Sequence, residues 1–200
     1  MRSARLFLLC GVTVPAQAAL TKEQQTAVMD HHNSLRSKQS VPCTASDMRK
    51  LTWDDELAKV AQAYAEKCVW EHNPNVDAQT GYPTGENLYA AVGDHPAVHG
   101  KDFAVAGTQS WYDEIAGYDF STGACDLKKV PMCGHYTQVV WSASTTIGCG
   151  SHMCKKEDGS NGLAKASQLA VRAEDNIPTC LHNWLPYRHT GRSQLSCARL

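Results

Sequence analysis

The residues best suited to chemistry are concentrated between Cys133 and Cys154, in CGHYTQVVWSASTTIGCGSHMC. Three cysteines lie here, and His135 and Gln138 stand one helical turn apart beside the apolar block Val139-Val140-Trp141. Histidine titrates closest to neutral pH and is the commonest metal ligand. The bland alternative is that both polar side chains satisfy buried backbone. Nucleophilic routes find little support. No Gly-x-Ser-x-Gly elbow occurs, and spacing singles out neither Ser142 nor Ser144. The adjacent pair His31-His32 would point in different directions on a helix, so both are expected as surface and groove residues and not as a metal pair.

The compartment is written at the start of the chain. Arg2 and Arg5 precede an apolar run from Leu6 to Val14, and Ala16-Gln17-Ala18 supplies small residues at a cleavage site. Residues 1–18 are expected to be a secretory signal peptide, cut after Ala18 or, as second choice, Ala19. No later stretch has the ~20 consecutive apolar residues of a spanning helix. A soluble, secreted protein is expected. With the two leader arginines gone, the 19 basic and 20 acidic side chains fall to a balance of −3. No basic block suggests nucleic acid, and no Asn-x-Ser/Thr sequon is present.

Of nine cysteines, Cys10 leaves with the leader. The even set that remains in an oxidising compartment implies up to four disulfides. Spacing favours one pair, Cys125 with Cys133, which closes a short loop through Pro131.

Several elements must position these residues. Thr21 and Gln24 form a capping box before a first helix over 22–37, with Val28, His32 and Leu35 on one stripe. After the loop 38–46, Thr52 is expected to cap a second helix ending near Trp70, with Leu57, Val60, Ala61, Tyr64, Ala65 and Cys68 on its apolar face. His72 then sits at a helix exit, since Pro74 disfavours helix just ahead of it. Turn formers fill 75–83, and 85–92 reads as a strand. Phe103, Ala106, Ser110, Trp111, Glu114 and Ile115 mark a third helix that puts Trp111 and Glu114 on one side. Residues 119–132 read as irregular, 147–154 as a strand, and 163–171 as mixed in periodicity. Helices and strands mingled without βαβ alternation give the fold class α+β, helices packed on an antiparallel sheet.

Gly134-His135-Tyr136-Thr137-Gln138-Val139-Val140-Trp141 resembles the signature of the CAP superfamily, which groups cysteine-rich secretory proteins, antigen-five venom allergens and pathogenesis-related proteins. Ile147 to His152 continues it in the manner of the peptidase inhibitor 16 branch. The resemblance implies an α-β-α sandwich over residues 19–188, with 189–200 a short tail carrying one cysteine. It implies the bridges Cys68–Cys154 and Cys149–Cys180, which leaves Cys43 for Cys197. It also implies that His72, Glu86, Glu114 and His135 converge in a cleft. On that reading His72 and His135 are metal ligands, Glu86 and Glu114 support them, and the ion is Zn²⁺ with solvent in its open positions.

The sequence departs from the family after Cys180, where Leu181-His182-Asn183-Trp184 replaces the usual Asn-Tyr-x-Pro run and Pro178 interrupts the final strand. No cysteine-rich domain like that of the channel-blocking venom relatives is expected after the tail, and no such activity is assigned. The expected function is a secreted binding or effector protein, a monomer, taking a lipid, sterol or extracellular protein ligand. Loops such as Gly93 to Gly100 would supply contacts. The alternatives are a zinc-dependent hydrolase or peptidase, for which a third protein ligand is not evident, and a secreted protease inhibitor.

Overall fold

The computed structural model describes residues 19–39, 45, 47–91, 101–154 and 165–173, the last segment by its backbone alone. The leader, Cys43, the loop 93–100, Pro178, Cys180, Cys197 and the tail 189–200 lie outside the described residues.

Helix α1 (Lys22–Ser37) opens on the expected capping box. The Thr21 amide donates to Gln24 Oε1 at 2.7 Å and the Gln24 amide to Thr21 Oγ1 at 3.3 Å. Its inner stripe is Val28, His32, Leu35 and Arg36. His32 is therefore no groove residue. It is fully buried, Nδ1–H donating to Val28 O at 2.9 Å with Thr108 Oγ1 at 3.2 Å, and burial pushes its pKa down to about 3. A neutral imidazole in the core is the result. His31 is half-buried and meets Gln109 at 3.0 Å.

Thr52 does not cap the second helix. It belongs to β1 (Thr52–Trp53), which pairs parallel with Thr146 and Ile147. The cap falls two residues later on Asp54, whose carboxylate accepts from the Glu56 and Leu57 amides at 2.9 and 3.1 Å. The reason is tertiary. Asp54 N–H is held by Ile147 O at 2.9 Å, so the chain leaves the sheet only there. Helix α2 (Asp55–Ala65) stops short of Trp70, and Cys68 turns the chain with φ 56°. The segment 75–83, expected as turns, contains the short helix α3 (Val76–Thr80), closed by Gly81 at φ 80°.

Strand β2 (Thr84–Ala91) is followed by α4 (Lys101–Asp113) and a 3₁₀ turn, Glu114–Gly117. The span 119–132 is less irregular than expected, because β3 (Tyr118–Asp119) and β4 (Ala124–Cys125) pair antiparallel. Then come α5 (Gly134–Val139), β5 (Ser144–His152) and β6 (Lys165–Ala173). The main sheet runs β1-β5-β6-β2, antiparallel except at β1.

One face of the sheet receives α2. Gly148 and Gly150 have no Cβ, and an atom there would meet the backbone of Leu57, Ala58, Ala61 and Gln62. Close approach of helix and strand requires glycine at both sites. The other face carries the core of Leu20, Val28, Leu51, Trp111, Tyr136, Val139, Val140 and Ile147. The outcome is the α-β-α sandwich. Cys68–Cys154 joins the end of α2 to the end of β5, and Cys125–Cys133 closes its short loop. Cys149 is buried with no disulfide partner among the described residues.

One buried side chain escaped the sequence reading. Arg36 is 2% exposed, and its guanidinium donates to five carbonyl contacts. Nε and Nη2 reach Arg49 O at 3.2 and 2.6 Å, Nη1 reaches Val139 O and Trp141 O at 2.9 and 2.8 Å, and Nη2 reaches Ser144 O at 3.3 Å. Burial lowers its pKa to about 10, so it remains charged at neutral pH. It ties α1 to the turn that ends α5 and begins β5.

Candidate functional site

The four candidate side chains come from four different elements. His72 lies in the loop after α2, Glu86 on β2, Glu114 at the start of the 3₁₀ turn and His135 in the first turn of α5. The fold brings them together as two pairs. His72 Nδ1–H donates to Glu86 Oε1 at 2.8 Å, and His135 Nδ1–H donates to Glu114 Oε1 at 2.7 Å.

Each glutamate does more than hold a ring. Glu86 Oε1 also accepts the amide of Asn73 at 2.9 Å, and Glu114 Oε2 accepts the amide of Tyr136 at 3.1 Å. In both pairs, then, one carboxylate clamps an imidazole and the backbone N–H of the next residue. A bond donated from Nδ1 fixes the neutral ring's proton there and the lone pair on Nε2. Neither Nε2 makes a hydrogen bond among the described residues. The arrangement presents two imidazole lone pairs.

The pairs differ in exposure. Glu86 and Glu114 side chains are 4% and 8% exposed, His135 20% and His72 61%. The Glu86 hydrogen bond raises the pKa of His72, with partial burial opposing it.

Neighbours fix the frame. Tyr64 OH donates to His72 O at 3.1 Å, and Asn87 Nδ2 donates to His135 O at 3.0 Å. Consecutive residues of β2 thus reach both pairs, Glu86 through His72 and Asn87 through His135. Trp111 Nε1–H donates to Leu88 O at 2.9 Å, and its ring lies 6.3 Å from that of His135. Tyr136 is fully buried and donates to Gln39 Oε1 at 2.9 Å. Asn87 and Gln39 were not singled out from sequence, and Tyr64 only as part of the apolar stripe of the second helix. Their roles are contacts between elements far apart in the chain, for which periodicity gives no signal.

Chemically, the donor set is two imidazoles backed by two carboxylates. No group of three or more His, Cys, Asp or Glu among the described residues is arranged to hold a metal ion. Three protein ligands are usual for catalytic zinc. Ser142 and Ser144 are buried, and among the described residues Ser144 Oγ has no hydrogen-bond partner and neither serine is paired with a base. None of the helices among the described residues is long and apolar enough to cross a membrane.

The family model of the cysteine-rich secretory protein family, CAP, matches residues 29–166. Peptidase inhibitor 16 of Mus musculus is 45% identical over 141 residues, which is 70% of this chain. The chain spans only 25% to 30% of the length of the first curated relatives it matches. Among solved structures, venom allergen-like protein 4 of Schistosoma mansoni is similar with a TM-score of 0.58 at 23% identity, covering 78% of this chain and 92% of that one. NaASP2, solved with Zn²⁺, is similar at 0.57 and 22%, covering 76% and 80%. At these identities the structures speak for the fold. Fold, family model and relatives agree, and the chain belongs to the cysteine-rich secretory protein (CAP) family.

Proposed function

We propose that this protein is a secreted, non-enzymatic binding or effector protein whose His/Glu cleft holds a divalent ion, with Zn²⁺ the best match to its donors. One observation carries the reading: the twin clamps leave Nε2 of His72 and of His135 as free lone pairs while their carboxylates are engaged. Two imidazoles with solvent in the remaining positions suit a borderline cation such as Zn²⁺. The bound ion would supply positive charge to a ligand's oxygen. The chain's own residues orient the rings and keep their protons on Nδ1. The zinc in the NaASP2 structure supports the choice of metal.

Among the described residues two imidazoles have no third grouped ligand and no serine is set against a base, which favours recognition over turnover. The ligand is then a lipid, a sterol or an extracellular protein, and the working unit is a monomer. The cleavable leader over residues 1–18 and export from the cell belong to the same proposal. The disulfides and the family's secretory name support it.

Zinc calorimetry on the wild type and on His72→Ala/His135→Ala tests the metal. Binding is expected in the first and at least tenfold weaker in the second, and equal binding in both would end the proposal. Glu86→Gln/Glu114→Gln tests the chemistry. It is expected to fold, be secreted and keep its principal ligand with reduced ion affinity. Peptidase or esterase turnover by pure wild type that this double variant abolishes would instead establish a hydrolase.

A further inference from the structure

Gln138 has no part in either clamp, yet it borders both. It stands on α5 one turn after His135, and its carboxamide lies directly on Gly85, the residue before Glu86. The fit is close enough that a Cβ at residue 85 would collide with Oε1, Cδ and Nε2 of Gln138. Asn87, two residues along the same strand, takes His135 O. Helix α5 is thus laid along β2 with His135 beside Asn87 and Gln138 beside Gly85.

Among the described residues the side chain of Gln138 makes no hydrogen bond, and its polar atoms are not among the fully buried, unpartnered ones. A carboxamide seated on a glycine, half-buried and unpaired, meets solvent with two donors and an acceptor to offer. Had Gln138 served only to fill space, an apolar side chain of its size would do so without the polar cost.

Resting on the reading of this region as a ligand cleft, we propose that Gln138 is a ligand-recognition residue and that the group it recognises is a peptide amide of an extended polypeptide. A carboxamide and a peptide group are complementary. Nε2–H donates to the carbonyl while Oε1 accepts the N–H, which makes two bonds with one group. A lone hydroxyl, the polar end of a sterol, can satisfy only one side of the carboxamide at a time. Gly85 is the enabling residue, because only glycine leaves the carboxamide room.

The test is a titration of metal-free, isotope-labelled protein with N-methylacetamide, a minimal peptide group, and separately with cyclohexanol. The side-chain NH₂ resonances of Gln138, identified by their loss in Gln138→Leu, are followed together with the Gly85 amide. Saturable shifts with N-methylacetamide are expected, with affinity reduced roughly tenfold in Gln138→Leu and in Gly85→Ala, the loss of one to two hydrogen bonds. Gly85→Ala keeps the carboxamide but displaces it, so the two variants remove the interaction by different routes. Unperturbed Gln138 resonances, or undiminished affinity in the folded variants, would overturn the proposal. A response to cyclohexanol as strong as that to the amide would overturn the peptide and assign the site to hydroxyl-bearing lipids. Because the protein is metal-free, failure here strikes the role of Gln138, while failure of zinc to bind strikes the cleft ion.

Discussion

The pH response of the cleft is set by its most exposed member. The Glu86 bond holds the His72 pKa above its ordinary 6.5, so the folded state binds this proton more tightly than the unfolded chain. The sign follows from linkage: stability from this pair is fully present below about 6.5 and is lost as pH rises through the raised value. Proton NMR titration of the His72 ring should give a midpoint above 6.5, and Glu86→Gln should bring it down. A wild-type midpoint at or below 6.5 would show that the clamp does not act on the ring. For the proposed ion the sign reverses, because a proton on Nε2 displaces it. Zinc affinity should rise with pH, and its loss on acidification should begin above pH ~6.5, earlier than for an unclamped histidine. Calorimetry at several pH values checks this. None of the four site residues was exposed by periodicity. His72 and Glu86 are 14 positions apart, and Glu114 and His135 are 21 apart. His135 stood out by residue type and the convergence of all four came from the family resemblance, whereas the clamping of the following amide became visible only in three dimensions.

Among the elements, those whose signal is local were legible. The first helix begins at its capping box, and the stripe from Leu57 to Ala65 marks α2. Strand β2 differs by one residue from its expected start. The misreadings share a cause. Thr52 looks like a cap because it precedes acidic residues, but pairing with Thr146 draws it into the sheet. Helix α3 is five residues long, too short for a period to emerge among turn formers. Strand β6 runs between β5 and β2, and its mixed pattern hid an eight-residue antiparallel ladder with β2. Arg36 was unreadable because its partners are carbonyls, which every residue carries. Arg36→Leu should strand these carbonyls in the core and cost roughly 3 kcal/mol or more in urea denaturation. Arg36→Lys should recover little of that, since an ammonium cannot reproduce the planar fork. Gly150→Ala tests the other helix layer. A methyl group against the backbone of α2 is expected to cost about 1–3 kcal/mol by the same measurement, and an unchanged midpoint would refute the close packing.

Over the whole molecule the covalent frame organises behaviour. Secreted protein is expected to carry four disulfides, with Cys149 joined to Cys180 and Cys43 to Cys197. Labelling the denatured, unreduced protein should find no thiol, and two or more modified cysteines would contradict the framework. Fully reduced but folded protein should still protect Cys149 from alkylation, because its burial raises the thiol pKa well above the usual range. Cys68 and Cys154 are 86 residues apart, a loop whose closure restricts the unfolded chain by roughly 4–5 kcal/mol in the chain-entropy model. This one bridge has a further effect, on proteolysis. His72, Glu86, Glu114 and His135 all lie inside the ring it closes. A protease cutting once anywhere between Val69 and Met153 therefore releases no fragment. The nicked molecule stays in one piece on an unreduced gel, and it comes apart only when reductant opens Cys68–Cys154 together with every other bridge that spans the cut. Such a cut would pass unseen on any gel run without reducing agent.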